Sequence, residues 1–220
     1  MSKTLQGKVA LVTGASRGIG AAIARRLGRE GASVAVGYSS SPEKAKAVVK
    51  EIEREGVRAE AFQADMADPA QVRGLIESVV GRFGGLDILV NNAGVFVPAP
   101  LDDPKADIEA LARQAAINIG AVATAIRAAA PILPRGGRIV TIGSVVAQRG
   151  FAGLSGYGAT KAAVVGFTKG AARDLGPKGI TVNVVQPGPI DTDMNPADGP
   201  LAASVTPMTA LGRYGTADEV

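Results

Sequence analysis

A short apolar run, a glycine-rich turn and a helical pattern follow one another near the N-terminus, and this succession constrains the fold more than any other feature. Lys8–Thr13 is almost continuously apolar, as expected for a strand buried on both faces. Gly14, Gly18 and Gly20 then form a turn of spacing G-x-x-x-G-x-G, and Ala21–Leu27 continues as a helix. Such a turn presents backbone N–H groups at the positive end of a helix dipole, so it predicts an anion-binding site.

Strand and helix patterns alternate along the rest of the chain. Further strands are predicted at 32–38, 57–64, 86–90, 137–143 and 180–186, and helices at 42–55, 68–83, 106–130 and from about 155 onward. This alternation predicts an α/β fold: one Rossmann-type, doubly wound parallel sheet of six strands with helices on both faces. We expect residues 1–220 to form a single domain.

Composition excludes several kinds of chemistry. The 220 residues include no histidine and no cysteine, which rules out a Ser-His-Asp triad, disulfides and the usual zinc sites, and we expect no metal. The net charge is +4, but the basic residues are scattered and aromatic residues make up only 4%, so no nucleic-acid surface is expected. Met1–Gly7 has no signal-peptide core and no apolar run reaches membrane length. We therefore expect a cytoplasmic protein with no membrane partner.

The end of the second strand suggests which dinucleotide would bind. A carboxylate usually stands there to hold the adenosine ribose of NAD. This chain has Tyr38, Ser39, Ser40 and Ser41 instead, and Arg17 in the glycine turn could face a 2′-phosphate. Hydroxyls and a guanidinium accommodate a phosphate, so NADP(H) is favoured over NAD(H).

Polar residues also stand where parallel strands end, the edge at which open sheets bind ligands. Asn91-Asn92-Ala93-Gly94 follows the fourth strand and Ser144 follows the fifth. Asn118 lies inside an apolar helix, where its amide must be satisfied by a structural bridge or a polar site.

Tyr157 and Lys161 are four residues apart in a helical pattern, so both side chains lie on one helix face. A free phenol has a pKa near 10, too high for ready proton exchange at neutral pH. A nearby ammonium favours the phenolate, so we expect Lys161 to lower the pKa of Tyr157 and make it a usable acid or base.

Taken together, Thr13–Gly20, Asn91–Gly94, Asn118, Ser144, the Tyr157/Lys161 pair and the Pro187–Thr192 segment occur in the order typical of one family. From about Lys8 onward, the chain resembles the short-chain dehydrogenase/reductase family. The resemblance implies that Tyr157 gives a proton to a carbonyl oxygen while nicotinamide delivers hydride to the carbon. It further implies that Lys161 holds the nicotinamide ribose, Ser144 binds the reacting oxygen, and Asn118 holds a water in a proton relay.

The cofactor-binding residues come partly from the glycine turn and second strand and partly from the resemblance. In the family, the positions of Asp65 and Met66 contact the adenine, and those of Asn92, Ala93 and Gly94 line the cleft. The positions of Pro187, Gly188, Ile190 and Thr192 cradle the nicotinamide end. The complete predicted cofactor set is Gly14, Ser16, Arg17, Gly18, Ile19, Gly20, Tyr38, Ser39, Ser40, Asp65, Met66, Asn92, Ala93, Gly94, Tyr157, Lys161, Pro187, Gly188, Ile190 and Thr192.

Within the family, the glycine turn and Ile142-Gly143-Ser144 look most like 3-oxoacyl-carrier-protein reductases and similar NADPH carbonyl reductases. An acidic carrier protein would need a basic patch, for which Arg149 and Arg173 are candidates. The alanine-rich stretch 128–130 stands where those reductases tend to be basic, which leaves a broad-range ketone or aldehyde reductase as the alternative. Apolar residues at 95–100 and 145–154, with a flap over 193–210, suggest a hydrophobic ketone or acyl chain.

Other interpretations stay open. The chain could be an NAD-dependent alcohol, steroid or sugar dehydrogenase, or a nucleotide sensor without catalysis. Family members continue past a helix beginning near Thr216 into a seventh strand that contributes to the usual tetramer, so we expect a longer natural protein and a homotetramer or homodimer. Without that strand, the sixth would be an exposed sheet edge.

Overall fold

A single parallel sheet forms the centre of the computed structural model, which describes residues 3–220. Its order is β3-β2-β1-β4-β5-β6, and every neighbouring pair is parallel. The strands are β1 Val9–Val12, β2 Ser33–Tyr38, β3 Ala59–Gln63, β4 Ile88–Asn91, β5 Arg138–Ile142 and β6 Thr181–Val185. This is the predicted Rossmann-type fold, and the six predicted strands lie within two residues of the observed bounds.

Helices cover both faces of the sheet. They are α1 Gly18–Arg29, α2 Pro42–Glu53, α3 Pro69–Phe83, α4 Ile108–Ala115, α5 Val122–Ala129, α6 Ser155–Leu175 and the short α7 Ala202–Val205. Apolar side chains of α1 and α2 form one core with the strand residues that point to their side. Those of α3, α5 and α6 form a second core on the opposite face. Strands buried on both faces explain the near-continuous apolar runs in the sequence.

Local residues set several helix ends. Pro42 and Pro69 stand at the first positions of α2 and α3, where the missing N–H costs nothing. The Asp68 carboxylate caps α3 by accepting hydrogen bonds from the N–H groups of Ala70 and Gln71. Gly84 ends α3 in the left-handed conformation, with φ of 83°.

The long helix predicted over 106–130 is interrupted, so that prediction was wrong in detail. A π-helical segment, Ala116–Ala121, separates α4 from α5. Asn118 lies in this segment, and its side chain bridges to the backbone of Val95. Insertions of this kind widen one helical turn and often occur at functional sites. The alanine-rich composition favours a regular helix, so the interruption could not be predicted from the sequence.

The strand order reverses between β1 and β4, since β2 and β3 extend to one side and β5 and β6 to the other. Open parallel sheets bind ligands at the carboxyl ends of the strands beside such a point. At the far side, β6 is an edge strand, with Val185 38% exposed. Within residues 3–220, no helix has the length and apolar character needed to cross a membrane.

Candidate active site

A cleft of about 880 Å³ opens at the carboxyl ends of the strands, where the sheet order reverses. All twenty residues predicted to bind the cofactor line this one cleft, and so does Ser144. Asn118 is the single predicted residue that lies behind the wall rather than on it. The predicted set therefore comes together in space although it spans almost the whole chain.

The glycine turn at one end of the cleft packs tightly against the segment after β4. A Cβ on Gly14 would stand 2.8 Å from the Ala93 Cα, and Gly14 has φ of 64°, which an L side chain rarely adopts. The Asn92 amide donates to the carbonyl oxygens of Thr13 and Gly14 at 2.9 and 3.1 Å. Asn92 thus lines the cleft while its side chain fixes the turn to β4.

The N-terminus of α1 faces the cleft with its N–H groups free of side-chain caps. Arg17 holds the N-cap position in an extended conformation, and no cap hydrogen bond from a side chain is made there. The first turn of α1 carries no acidic residue. These N–H groups and the helix dipole leave a favourable position for an anion, so the anion site stays a prediction that this geometry permits.

Arg17 meets an acidic partner that the sequence did not suggest. Its Nη1 lies 3.4 Å from Oδ2 of Asp193, and the same oxygen lies 3.1 Å from Nζ of Lys44. The end of β2 has no carboxylate, as the sequence shows, but the fold brings one to Arg17 from a distant segment. Neither Lys44 nor Asp193 was among the predicted site residues, because they lie 149 residues apart and meet only in the fold.

Asp65, beside the cleft, forms hydrogen bonds that hold neighbouring segments together. Its carboxylate accepts hydrogen bonds from the Ala67 N–H at 2.9 Å and from Arg113 at 2.7 Å. These contacts, the Ala67 bond first, lower the pKa of Asp65. Arg113 also lines the cleft and was not predicted, since no local pattern marks an arginine on α4 as facing β3.

Ser144 and Tyr157 form the centre of the other half of the cleft. Ser144 follows β5, and its hydroxyl accepts a hydrogen bond from the Val146 N–H at 3.3 Å. The Tyr157 ring meets the Phe96 ring edge to face, with centroids 4.9 Å apart. Burial raises the pKa of the Tyr157 phenol, and the Ser144 hydroxyl beside it acts in the opposite direction.

Lys161 is buried, with 7% exposure, and donates from Nζ to the Ile142 carbonyl oxygen at 2.9 Å. Burial lowers its pKa to about 8. Its Nζ lies 5.7 Å from the Tyr157 ring centroid, over the ring. The pKa of Tyr157 was expected to be lowered by this ammonium, but burial raises it, and the opposing contribution comes from the Ser144 hydroxyl.

Asn118 braces the cleft from behind. Its Oδ1 accepts from the Val95 N–H at 2.9 Å, and its Nδ2 donates to the Val95 carbonyl at 3.0 Å and to Thr160 Oγ1 at 3.1 Å. The side-chain amide is thus the structural bridge, and both of its N–H groups are used. Gln114, one helical turn earlier, holds the Val97 N–H in the same way at 2.7 Å.

The wall beyond Tyr157 is apolar. It combines residues after β4 and β5 with the segment after β6: Val95, Phe96, Val145, Phe151, Leu154, Met194, Leu201, Val205 and Met208. These residues lie in the three segments predicted to form the pocket walls, 95–100, 145–154 and 193–210. The 193–210 flap contains α7, and its apolar residues Leu201 and Met208 are 41% and 51% exposed.

A Rossmann-type sheet with an uncapped helix N-terminus at one end of its cleft and Ser144, Tyr157 and Lys161 at the other is typical of a nucleotide-dependent oxidoreductase. The family model described as short chain dehydrogenase matches residues 8–200. The chain belongs to this family, as the sequence motifs indicated.

Known relatives agree with this assignment. The chain is 45% identical over 216 residues to the Cyclic-di-GMP-binding biofilm dispersal mediator protein of Escherichia coli, covering 97% of this chain and 86% of that protein. It is also 45% identical over 211 residues to the 3-oxoacyl-[acyl-carrier-protein] reductase FabG of Staphylococcus aureus, covering 94% and 85%. A short chain dehydrogenase from Burkholderia cenocepacia, crystallised in complex with NADP, is 55% identical with a TM-score of 0.95, covering 98% of this chain and 88% of that one.

Proposed function

We propose that this protein is an NADP(H)-dependent reductase that converts a carbonyl compound to the corresponding alcohol. The observation that carries the proposal is the continuous cleft, which joins the anion-binding turn at Arg17 to the Ser144, Tyr157 and Lys161 cluster. A dinucleotide that places its phosphates at the turn extends toward that cluster. Hydride transfer to a carbonyl there requires a proton donor, and Tyr157 is suitably placed to be one.

The chain's own features fit this cofactor. The uncapped N-terminus of α1 would hold the pyrophosphate, and Arg17 with Ser39 and Ser40 would hold the adenosine end. A Cβ on Gly188 would meet no atom within 4 Å, so the wall recedes at the predicted nicotinamide end. The Burkholderia neighbour crystallised with NADP supports the same choice of cofactor.

The reacting groups have distinct roles in this proposal. The reduced nicotinamide, when bound, supplies the hydride. Tyr157 donates its phenolic proton to the carbonyl oxygen, and the Ser144 hydroxyl donates a hydrogen bond to the same oxygen, stabilising the alkoxide as charge develops. Lys161 uses one N–H on the Ile142 carbonyl and has two left for the ribose and the proton path.

In this proposal Asn118 contributes through its backbone and not through its side chain. Since its amide is committed to Val95 and Thr160, the group left to hold a relay water is its backbone carbonyl. The π-helical segment makes such a contact possible, because a widened turn displaces carbonyl groups from regular i→i+4 pairing and lets them accept a hydrogen bond from water. The proton that Tyr157 gives to the carbonyl oxygen would then be replaced from that water through Lys161.

The substrate is proposed to be apolar, a hydrophobic ketone or a 3-oxoacyl thioester, because of the walls around Phe96 and Met208. The relative named as a 3-oxoacyl-[acyl-carrier-protein] reductase supports the thioester. Of the two basic candidates for a carrier-protein contact, Arg149 lines the cleft mouth, whereas Arg173 is exposed on α6 away from it. We further propose a homotetramer or homodimer, as implied by the family.

The testing experiment follows NADPH absorbance with a panel of carbonyl compounds that includes acetoacetyl thioesters, ketones, aldehydes and sugars. Oxidation of NADPH that depends on an apolar carbonyl supports the proposal. Turnover with NAD and an alcohol, together with tighter binding of NAD than of NADP, would instead support an NAD-dependent dehydrogenase.

A second candidate is a nucleotide-binding protein without catalysis. The relative named as a cyclic-di-GMP-binding protein favours it, and so do the two cations beside the cleft, Arg17 and Lys44. Titration with cyclic di-GMP and with NADPH, each followed by calorimetry, distinguishes the two functions. A sensor binds nucleotide and turns over none of the carbonyl panel.

A further inference from the structure

The carboxylate of Asp193 stands between two cations from distant parts of the fold. Arg17 comes from the glycine turn before α1, and Lys44 comes from the first turn of α2. Both contact Oδ2 of Asp193, at 3.4 and 3.1 Å. These contacts, that of Lys44 first, lower the pKa of Asp193, so the group is an anion at neutral pH.

This position coincides with the expected seat of a 2′-phosphate. Arg17, Asp193 and the serines after β2 line the same end of the cleft. The carboxyl end of β2 is where an open sheet of this type meets the adenosine ribose. A phosphomonoester placed there would meet two cations and several hydroxyl groups, whereas a ribose hydroxyl carries no charge, so both cations would stay paired with Asp193.

Asp193 and a 2′-phosphate cannot share this seat without repulsion. A phosphate has nearly two negative charges at neutral pH, and like charges at contact distance repel even near a solvated surface. The Asp193 contact is easily displaced, because the three side chains are 54–56% exposed and such ion pairs are weak. The phosphate, with more charge and more acceptor oxygens, is the stronger ligand for the two cations.

Displacing Asp193 would affect the substrate end of the cleft, because Met194 follows it directly and lines that end together with Leu201 and Met208. Asn195 anchors the start of the same segment, since its N–H donates to the Thr192 carbonyl at 3.0 Å and its Oδ1 accepts from the Tyr214 hydroxyl at 3.3 Å. The carboxylate and the apolar wall therefore belong to one short segment, 193–210.

We propose that Asp193 occupies the 2′-phosphate seat formed by Arg17 and Lys44, and that NADP(H), unlike NAD(H), displaces it and thereby shifts the 193–210 flap. Lys44 is then a second determinant of cofactor choice. This inference deepens the proposed function by assigning its cofactor specificity and by coupling the adenosine end to the substrate end.

Binding of adenosine 2′,5′-bisphosphate and of 5′-AMP tests the seat without any hydride chemistry. Asp193→Asn should tighten the bisphosphate about three- to ten-fold, because a competing anion is removed, and leave 5′-AMP unchanged. Lys44→Ala should weaken the bisphosphate about ten-fold, as expected for loss of one charge-assisted hydrogen bond, and leave 5′-AMP unchanged. Lys46→Ala is the matched control, since Lys46 pairs with Glu43 on the same helix.

The flap is followed by a single fluorescent label, which is specific because the chain has no cysteine. The label is attached through Ala203→Cys, at an exposed position of α7. The bisphosphate should change the emission and 5′-AMP should not, and Asp193→Asn should reproduce the change without ligand. Equal effects of Asp193→Asn on both nucleotides, no effect of Lys44→Ala, or an emission that ignores the bisphosphate would each overturn the proposal. Because none of these readouts needs turnover, they are independent of whether the carbonyl reduction is correct.

Discussion

The ammonium of Lys161 lies over the ring of Tyr157, 5.7 Å from its centroid, and donates its hydrogen bond to the Ile142 carbonyl. The two side chains share a helix face, as the i,i+4 spacing requires. The Lys161 ammonium, however, lies over the aromatic ring and bonds to the carbonyl at the end of β5. In this arrangement burial sets both pKa values: that of Tyr157 is raised and that of Lys161 is lowered.

The first prediction concerns the proton donor. Tyr157→Phe should lower kcat by about 10²- to 10⁴-fold, the usual contribution of a positioned general acid. Binding of NADPH should stay within about two-fold, because the ring and its edge contact with Phe96 are retained. Thr168→Val serves as the control for loss of a buried hydroxyl elsewhere on α6. Unchanged turnover in Tyr157→Phe would remove the assigned role.

The second prediction concerns the cost of burying Lys161. Its pKa of about 8 in the folded protein lies below the ordinary value of 10.5. Between these two pH values the unfolded chain keeps the proton that the folded chain has lost. The free energy of unfolding should therefore rise from pH 8 to pH 10.5, by up to about 3 kcal/mol from this group, and this group should add no slope below pH 8.

Urea unfolding of Lys161→Met at pH 7 and pH 10 measures this cost. The variant should be about 1–2 kcal/mol more stable at pH 7, because the desolvation penalty disappears while the Ile142 carbonyl loses its donor. The advantage should shrink at pH 10. Lys169→Met, at an exposed position of the same helix, should change stability at neither pH. Equal stability of wild type and Lys161→Met at both pH values would contradict the shifted pKa.

The third prediction concerns the brace behind the cleft. Asn118→Ala removes hydrogen bonds to both the N–H and the carbonyl of Val95, next to Gly94 on the cleft wall. We expect a loss of about 2–4 kcal/mol of stability, because buried backbone groups are left without partners. Chemical unfolding measures this, with Asn183→Ala on exposed β6 as the near-neutral control. A loss no larger than in the control would show that Asn118 does not hold this segment.

The sequence predicted the sheet well because its signals are local and repeated. Apolar runs mark each strand. Because these runs alternate with helical patterns, successive strands are joined by right-handed helical crossovers, which gives a parallel sheet. Ser144 could also be predicted as a candidate site residue, because it follows a strand and the carboxyl ends of parallel strands meet at one edge of the sheet. Helix geometry predicted that Tyr157 and Lys161 share one face, and the resemblance to the family supplied their roles.

Features that depend on distant contacts could not be predicted. Asp193 reaches Arg17 across 176 residues, and no local pattern marks that meeting. The π-helical segment contains Asn118, whose side chain bonds to Val95, a residue 23 positions away that only the fold brings close. The direction of the Tyr157 pKa shift was predicted wrongly, because the spacing of Lys161 gave its proximity but not the extent of burial.

The last prediction compares a glycine of the turn before α1 with a glycine in the interior of a helix. Gly14→Ala places a Cβ 2.8 Å from the Ala93 Cα, backbone that cannot yield, at a residue with φ of 64°. We expect a loss of about 2–4 kcal/mol of stability and weaker NADPH binding, because the turn must move away from Asn92 and the cleft. Gly74→Ala in the interior of α3 meets no atom within 4 Å and should instead stabilise the protein by about 0.5–1 kcal/mol. Thermal and urea unfolding of the two variants side by side measure both signs, and NADPH titration should detect a change for Gly14→Ala only. If the two substitutions had the same effect, the close approach of the glycine turn to Ala93 would not shape this cleft.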